Sequence, residues 1–167
     1  MLHTAAFTGY DLSLFVHITA VVVGFGATFA ESVFFPVAQR LGTQHLPYVH
    51  RLQLTINRWF ATPALVVVLL TGIYQVADGP YGFDEFWVSA SFLIVIVLGG
   101  LIGAVFIPAD RRLGPMAERE LGAAASGAPA ELSEEYRRGA LMEGRVGGLA
   151  GVLIVAAIFL MVVKPGM

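Results

Sequence analysis

Two ionisable side chains lie within a long apolar run near the start of the chain. Residues 14–31 read LFVHITAVVVGFGATFAE. Four of them are spaced 7, 4 and 3 positions apart, which places them on one face of a helix: His17, Gly24, Thr28 and Glu31. An ionisable side chain inside hydrocarbon is costly unless it is paired or has a function. This face therefore predicts a polar site that points into the protein.

His17 has two interpretations. In the first, a neutral imidazole is hydrogen-bonded to the backbone or to Ser89 or Ser91 of a later apolar run. In the second, His17 is a metal ligand for haem b, because haem iron binds a neutral imidazole. Met161, near the end of the last apolar run, is then the candidate second axial ligand, unless the iron is five-coordinate.

The other three histidines are expected to lie away from His17. His3 falls in the N-terminal tail, and His45 and His50 fall in the first connection between apolar runs. A site with two histidine ligands inside one chain is therefore not expected.

Glu31 has a candidate partner in Arg58, which opens the second apolar run at a similar depth. A lone charge in hydrocarbon costs about 2.5–3.5 kcal/mol on insertion scales, and pairing removes most of that cost. The pair either positions two helices or takes part in proton uptake or anion binding. Thr28 and Arg145 complete the predicted intramembrane polar cluster, which Glu143 extends.

The composition is that of a membrane protein. Hydrophobic residues make up 57% of the chain and charged residues 13%, and the mean hydropathy is +0.76. Four apolar runs, at about 11–37, 59–77, 86–108 and 146–163, are each long enough for a helix to cross about 30 Å of hydrocarbon. The predicted fold is an all-α, four-transmembrane-helix bundle that forms a single domain.

The basic residues predict an orientation. Nine of the ten Lys and Arg residues flank the connections at 38–58 and 109–145, whereas the connection between the second and third runs is acidic. Because basic residues collect on the cytoplasmic side, both termini are expected outside. The predicted location is the inner membrane of a bacterial-type cell.

Composition also limits which cofactors and partners the protein can bind. The chain has no cysteine, which excludes disulfides, iron–sulfur clusters and covalently attached haem. A net charge of −2 gives no indication of nucleic-acid binding. A glycine-rich stretch predicts close helix packing, and with it a homo-oligomer or a complex with another membrane protein: Gly144, Gly147, Gly148 and Gly151. Thr62-Pro63 predicts a bend or local unwinding of the second span.

Several stretches resemble a known superfamily. LFVHITAVVVGFGATF, FFPVAQRLG, NRWFATPALVVVLLTGIYQV and FWVSASFLIVIVLGG are similar to spans of small HemJ-type and copper-resistance-D-like membrane proteins and of a related predicted integral membrane protein family. HemJ-type proteins are implicated in oxidising protoporphyrinogen IX and in binding haem b. The resemblance implies that His17 is the cofactor or catalytic histidine and that Arg58 lies near substrate or haem carboxylates.

Three functions are compatible with these observations. The first is a haem- or porphyrin-binding redox protein, and if it is an enzyme the resemblance makes it a HemJ-like oxidoreductase. The second is a proton or small-ion channel or carrier with a path lined by Glu31, Arg58 and His17. The third is a non-enzymatic assembly subunit of the membrane.

Overall fold

The fold is entirely helical in the part of the chain that the computed structural model describes, residues 8–124 and 132–166, and that part contains no strand. The predicted all-α class is confirmed. The six α-helices are α1 (Gly9–Leu41), α2 (Leu46–Ile56), α3 (Thr62–Asp78), α4 (Phe86–Leu101), α5 (Ile107–Ala124) and α6 (Glu134–Val163).

Two π-helical segments join these helices into longer ones. Asn57–Ala61 connects α2 to α3, and Ile102–Phe106 connects α4 to α5. The result is four helices that are long and apolar enough to cross a membrane: α1, Thr43–Asp78, Phe86–Gly122 and α6. The protein is therefore an integral membrane protein with four spans. The connections predicted at 38–58 and 109–145 are largely helical where they are described, because α2 and α5 continue the spans.

Each π-helical segment ends two residues before a proline. Pro63 and Pro108 have no N–H to donate to the carbonyl four residues earlier, and their rings clash with it. Widening one turn accommodates that clash. In the first segment the Thr62 hydroxyl donates to the carbonyl of Asn57 at 2.6 Å. The local unwinding predicted at Thr62-Pro63 is confirmed.

The helices pack in pairs. In the most apolar part of the bundle, α1 lies against α3 and α4 against α6, while α2 lies against α5 at the other end. Small side chains line the contact between α1 and α3, where the position of Gly24 directly faces Ala64. Small residues let helix backbones approach closely where the surrounding lipid supplies no hydrophobic driving force.

Large apolar side chains cover the outside of the bundle. Phe15 and Val22 on α1, Leu70 on α3, Leu93 on α4 and Val152 on α6 are each more than half exposed. On a water-soluble protein such a surface would aggregate, whereas hydrocarbon tails accept it. The outer surface of the spans therefore contacts the lipid bilayer.

A second apolar core lies where α2, α5 and the start of α6 meet. Leu46, Val49, Leu113 and Tyr136 are almost completely buried in it. The Ser133 hydroxyl accepts a hydrogen bond from the Tyr136 N–H and so starts α6 here. This core holds three helix extensions together beyond the lipid-facing surface.

Gly24→Ala is expected to destabilise the bundle, because a methyl group at Gly24 would lie 2.7 Å from the Cβ of Ala64. Overpacking of this kind costs about 1–3 kcal/mol. Gly26→Ala is the matched control, since a Cβ at Gly26 meets no atom within 4 Å and alanine favours the helix. Thermal unfolding of the two variants in detergent compares them. Equal stability of the two would contradict the close approach of α1 and α3.

Candidate functional site

The first of two polar sites is a cavity of about 370 Å³ between α1, α3, α4 and α6, called here the His17 cavity. His17 lines it from α1 and Met161 from α6. The remaining walls are mainly aliphatic and aromatic. Its volume falls in the range of small-molecule sites, about 300–1,000 Å³. The two predicted haem ligands therefore line the same cavity.

The hydrogen bond of His17 determines which ring nitrogen carries the proton. Its Nδ1 lies 2.7 Å from the Thr71 hydroxyl, and that hydroxyl lies 2.6 Å from the Val67 carbonyl. Because a carbonyl can only accept, we assign the single Thr71 hydroxyl hydrogen to the Val67 carbonyl and, with it, the Nδ1–H bond of His17 to the Thr71 oxygen. The lone pair of Nε2 is then free, and Nε2 has no hydrogen-bond partner among the described residues.

The serine partners predicted for His17 are wrong. The Ser89 hydroxyl donates to the Phe83 carbonyl and the Ser91 hydroxyl to the Trp87 carbonyl. A serine hydroxyl in or next to a helix readily donates its hydrogen bond to a nearby backbone carbonyl of the same segment. Both hydroxyls are therefore occupied within their own stretch of chain.

One end of the His17 cavity is cationic. The ammonium of Lys164 donates to the Tyr81 hydroxyl at 3.2 Å and lies 4.3 Å from the centre of that ring. The Trp87 ring centre is 5.3 Å from the same ammonium. The Trp87 Nε1–H is buried and has no acceptor among the described residues. This end of the cavity thus offers a positive charge and an unused donor to a ligand.

The second site, called here the His50 cluster, consists of His50, Asp110, Tyr136 and Glu143 at the opposite end of the bundle. His50 is 0% exposed, Asp110 2%, Tyr136 2% and Glu143 9%. Nδ1 of His50 lies 2.9 Å from Oδ1 of Asp110 and 3.9 Å from Oε2 of Glu143. Nε2 of His50 lies 2.9 Å from the Tyr136 hydroxyl. Three helices, α2, α5 and α6, thus meet on one imidazole.

Local sequence explains why these side chains converge. His50 follows the buried Val49 on the inward face of α2. Gly114 leaves room on α5, since a Cβ there would lie 3.3 Å from the Cβ of His50. Asp110 lies one turn before Gly114 and therefore on the same face of α5.

Glu31 faces this end of the bundle, but the predicted ion pair with Arg58 is wrong. The Arg58 side chain is exposed, and no ion pair between the two is found in the described ranges. Asn57 continues the inward face that His50 starts on α2 and is buried, whereas Arg58, the next residue, lies about 100° further round the helix and is exposed. Oε1 of Glu31 is buried without a hydrogen-bond partner in the described chain.

A cavity of about 480 Å³, called here the Glu31 cavity, is lined by residues of α1, α2, α3, α4 and α6. Glu31, Thr28 and Glu143 line it. The Thr28 hydroxyl donates to the Gly24 carbonyl of its own helix. Arg145 is exposed and forms no ion pair that the described residues show. The predicted polar cluster is therefore corrected: Glu31, Thr28 and Glu143 lie together, and the two arginines lie outside it.

The glycine stretch of α6 lines the same cavity. A Cβ at Gly144, Gly147 or Gly148 would meet no atom within 4 Å. The tight packing predicted for these glycines is therefore wrong within the described part of this chain. A homo-oligomer or a partner membrane protein on that face stays a prediction.

An apolar layer separates the two ends of the bundle. His17 and Glu31 are 14 residues apart on α1, or about 21 Å along its axis. Ala20, Ala64, Val68 and Val95 pack together between them. The path predicted to run through Glu31, Arg58 and His17 is thus not assembled in the described structure.

Sequence reasoning missed the His50 cluster because His50 was assigned to a connection. A signal was present: His50, Gln53 and Asn57 are spaced 3 and 4 residues apart, which places three polar groups on one face of a helix. Asp110 carried a weaker signal, as a single acid beside two arginines.

The four apolar helices agree with the family to which the chain is similar. A family model described as "Predicted integral membrane protein (DUF2269)" matches residues 11–165. The chain belongs to this family. No curated protein and no solved structure matches the chain. Membership in DUF2269 confirms the part of the resemblance that pointed to a predicted integral membrane protein family. The HemJ-type and copper-resistance-D-like part stays a prediction.

Tyr136→Phe is expected to destabilise this DUF2269 protein by about 1–3 kcal/mol, because it leaves a buried ring nitrogen of His50 without its partner. Tyr48→Phe is the matched control, since Tyr48 lies on α2 and is 67% exposed. Chemical or thermal unfolding in detergent measures the difference. If both variants unfold at the wild-type midpoint, the hydrogen bond from Tyr136 to His50 does not contribute to stability.

Proposed function

We propose that this protein binds haem b, or a closely related metalloporphyrin, in the His17 cavity and has a redox role in the membrane. The observation that carries the proposal is the free Nε2 lone pair of His17, which borders a cavity that Met161 also lines. Imidazole and thioether are both established axial ligands of haem iron.

Thr71 supports this role as a positioning residue. By accepting the Nδ1–H hydrogen bond it fixes the tautomer and the orientation of the His17 ring. Metal-bound histidines generally donate their second N–H in this way, and the partner increases the basicity of the ligand. Gly72 assists, because a Cβ at that position would lie 3.8 Å from Cε1 of His17 and 3.3 Å from the Phe92 ring.

Met161 is the proposed second axial ligand. A histidine–methionine pair raises the reduction potential of haem relative to a histidine alone. The surrounding walls, which include Val21, Val68 and Val95, are apolar and would keep water away from the group. Bound haem would supply reversible one-electron transfer.

Lys164 and Trp87 are the proposed partners of the porphyrin carboxylates. The ammonium of Lys164 and the unused Nε1–H of Trp87 lie at one end of the His17 cavity. A charge-assisted hydrogen bond to a carboxylate is about twice as strong as a neutral one. This replaces the role that the resemblance implied for Arg58, which lies at the opposite end of the bundle.

We also propose that the His17 cavity opens on the outer side of a bacterial-type inner membrane, with both termini outside. The distribution of Lys and Arg supports this orientation, since nine of the ten lie on the connections at the other side. Electron exchange would then take place near the outer surface.

The haem proposal predicts an absorption spectrum. The detergent-purified protein is expected to show a Soret band that shifts on reduction with dithionite. His17→Ala is expected to abolish the band, whereas His45→Ala should retain it, because His45 is exposed and far from the cavity. Thr71→Val is expected to weaken haem affinity by about tenfold or more, since it removes the acceptor that orients His17.

Two results would overturn the haem proposal. One is a colourless protein that takes up no haem when haem is added. The other is a haem spectrum that is unchanged in a folded His17→Ala variant. If haem is bound, oxidation of protoporphyrinogen IX is the activity to assay, because the HemJ-type resemblance implies it.

The orientation is testable because the chain contains no cysteine and so has no labelling background. Asp84→Cys and Glu118→Cys place single thiols at exposed positions at opposite ends of the spans. In intact cells a membrane-impermeant maleimide is expected to label Asp84→Cys and to leave Glu118→Cys unlabelled until the cells are lysed. The reverse pattern would invert the proposed orientation.

A further inference from the structure

We infer that the His50 cluster binds one divalent transition-metal ion through the imidazole of His50 and the carboxylates of Asp110 and Glu143. This site is separate from the His17 cavity, and the inference does not depend on haem binding. Its chemical class is a site with one nitrogen and two oxygen ligands.

The distances suit a metal ion. One atom of each of the three residues lies within 4.8 Å of the others, and Nδ1 of His50 lies 2.9 Å and 3.9 Å from the two carboxylates. Ligand atoms bound at about 2.1 Å lie about 3.0–3.5 Å apart in octahedral or tetrahedral sites. The 2.9 Å separation already fits, and the 3.9 Å separation would have to shorten by about 0.4–0.9 Å. No pair of these atoms would have to approach by more than about 2 Å, which side-chain rotation can supply.

The two buried carboxylates also favour binding of a cation. Asp110 and Glu143 are buried beside one another, and Glu31 is close enough to interact electrostatically with both. Buried carboxylates must be paired, protonated or bound to a metal. In the described ranges the ion pairs of Arg51, Arg112 and Arg137 are made with exposed glutamates at the surface, not with this cluster.

An unpartnered atom points to a ligand. Asp110 is only 2% exposed, and its Oδ2 is buried without a hydrogen-bond donor among the described residues. A buried acceptor left without a donor costs about 1–3 kcal/mol. A metal ion bound by both carboxylate oxygens of Asp110 would satisfy Oδ2 as well as Glu143. The competing occupant is a single proton shared by the two carboxyls, and the experiment below separates the two.

Tyr136 positions the His50 ring both when a metal ion is bound and when the site is empty. When Nδ1 of His50 binds a metal, Nε2–H donates to the Tyr136 hydroxyl, which lies 2.9 Å away. Such a second hydrogen bond is a regular feature of histidine ligands. The imidazole thus keeps one orientation with or without the ion.

The site is open on one side. His50 and Asp110 lie behind Glu143, whereas Glu143 lines the Glu31 cavity. A metal held by three protein ligands with one accessible side can take a water molecule or a substrate. Glu31 faces the same cavity with an unpartnered oxygen, so it can accept a hydrogen bond from that molecule.

The types of ligand atom limit which metal ions suit the site. Carboxylate and imidazole without thiolate suit Mn²⁺, Fe²⁺ or Zn²⁺, and disfavour Cu⁺, which prefers sulfur. Mg²⁺ and Ca²⁺ favour all-oxygen sites, so the histidine argues against them.

The test uses the full chain, purified in detergent, freed of any affinity tag and stripped with a chelator. Titration with Zn²⁺ and with Mn²⁺ by calorimetry, followed by metal analysis after desalting, is expected to give one ion per chain. Glu143→Gln and Asp110→Asn are expected to weaken binding at least tenfold. Glu118→Gln is the matched control on α5, because the Glu118 carboxylate is exposed and pairs with Arg51 at the surface. It should bind as the wild type does.

Three results would overturn the inference: no ion bound by the wild type, unchanged affinity in folded Glu143→Gln and Asp110→Asn, or equal loss in Glu118→Gln. If the first two variants fail to fold, pulsed electron paramagnetic resonance on the wild type with Mn²⁺ decides the question. Coupling of the metal to an imidazole ¹⁴N supports the site. A bound Mn²⁺ without that coupling contradicts it.

Discussion

The constraint on which this bundle depends is that its interior polar groups must satisfy one another, since hydrocarbon offers them no water. The chain concentrates its polar groups at two ends, and the buried atoms left without a partner among the described residues line the His17 cavity or the Glu31 cavity or belong to the His50 cluster. At one end the His17 imidazole is held by Thr71, and at the other the His50 imidazole is held between Asp110 and Tyr136. Between them α1, α3 and α4 pack through small and aliphatic side chains.

Two features of the backbone determine which side chains enter each site. The close approach of Gly24 to Ala64 brings α1 and α3 together near the middle of the bundle. The inward face of α2 continues from His50 to Asn57, so Asn57 is buried and the neighbouring Arg58 is exposed. The glycines of α6 leave open space, and the Glu31 cavity extends into it.

Much of the fold was predictable from sequence, because hydrophobic runs of membrane length and the Thr62-Pro63 signal are local properties. The convergence of His17 and Met161 on one cavity was also predictable, since both lie near the same end of their spans. The failure of Glu31 to pair with Arg58 was not, because depth can be counted along a sequence whereas the face of the helix on which Arg58 falls depends on how α2 packs. His50 and Asp110 were missed for a related reason. They lie beyond the apolar runs, on helix extensions whose packing depends on contacts among α2, α5 and α6.

The independence of the two sites is tested most directly by measuring haem absorbance and bound metal in the same preparations of His17→Ala and Glu143→Gln. Two separate sites predict that His17→Ala loses haem and keeps its metal, and that Glu143→Gln loses metal and keeps its haem. A folded variant that loses both ligands, or neither, would contradict the separation of the two sites by the apolar layer.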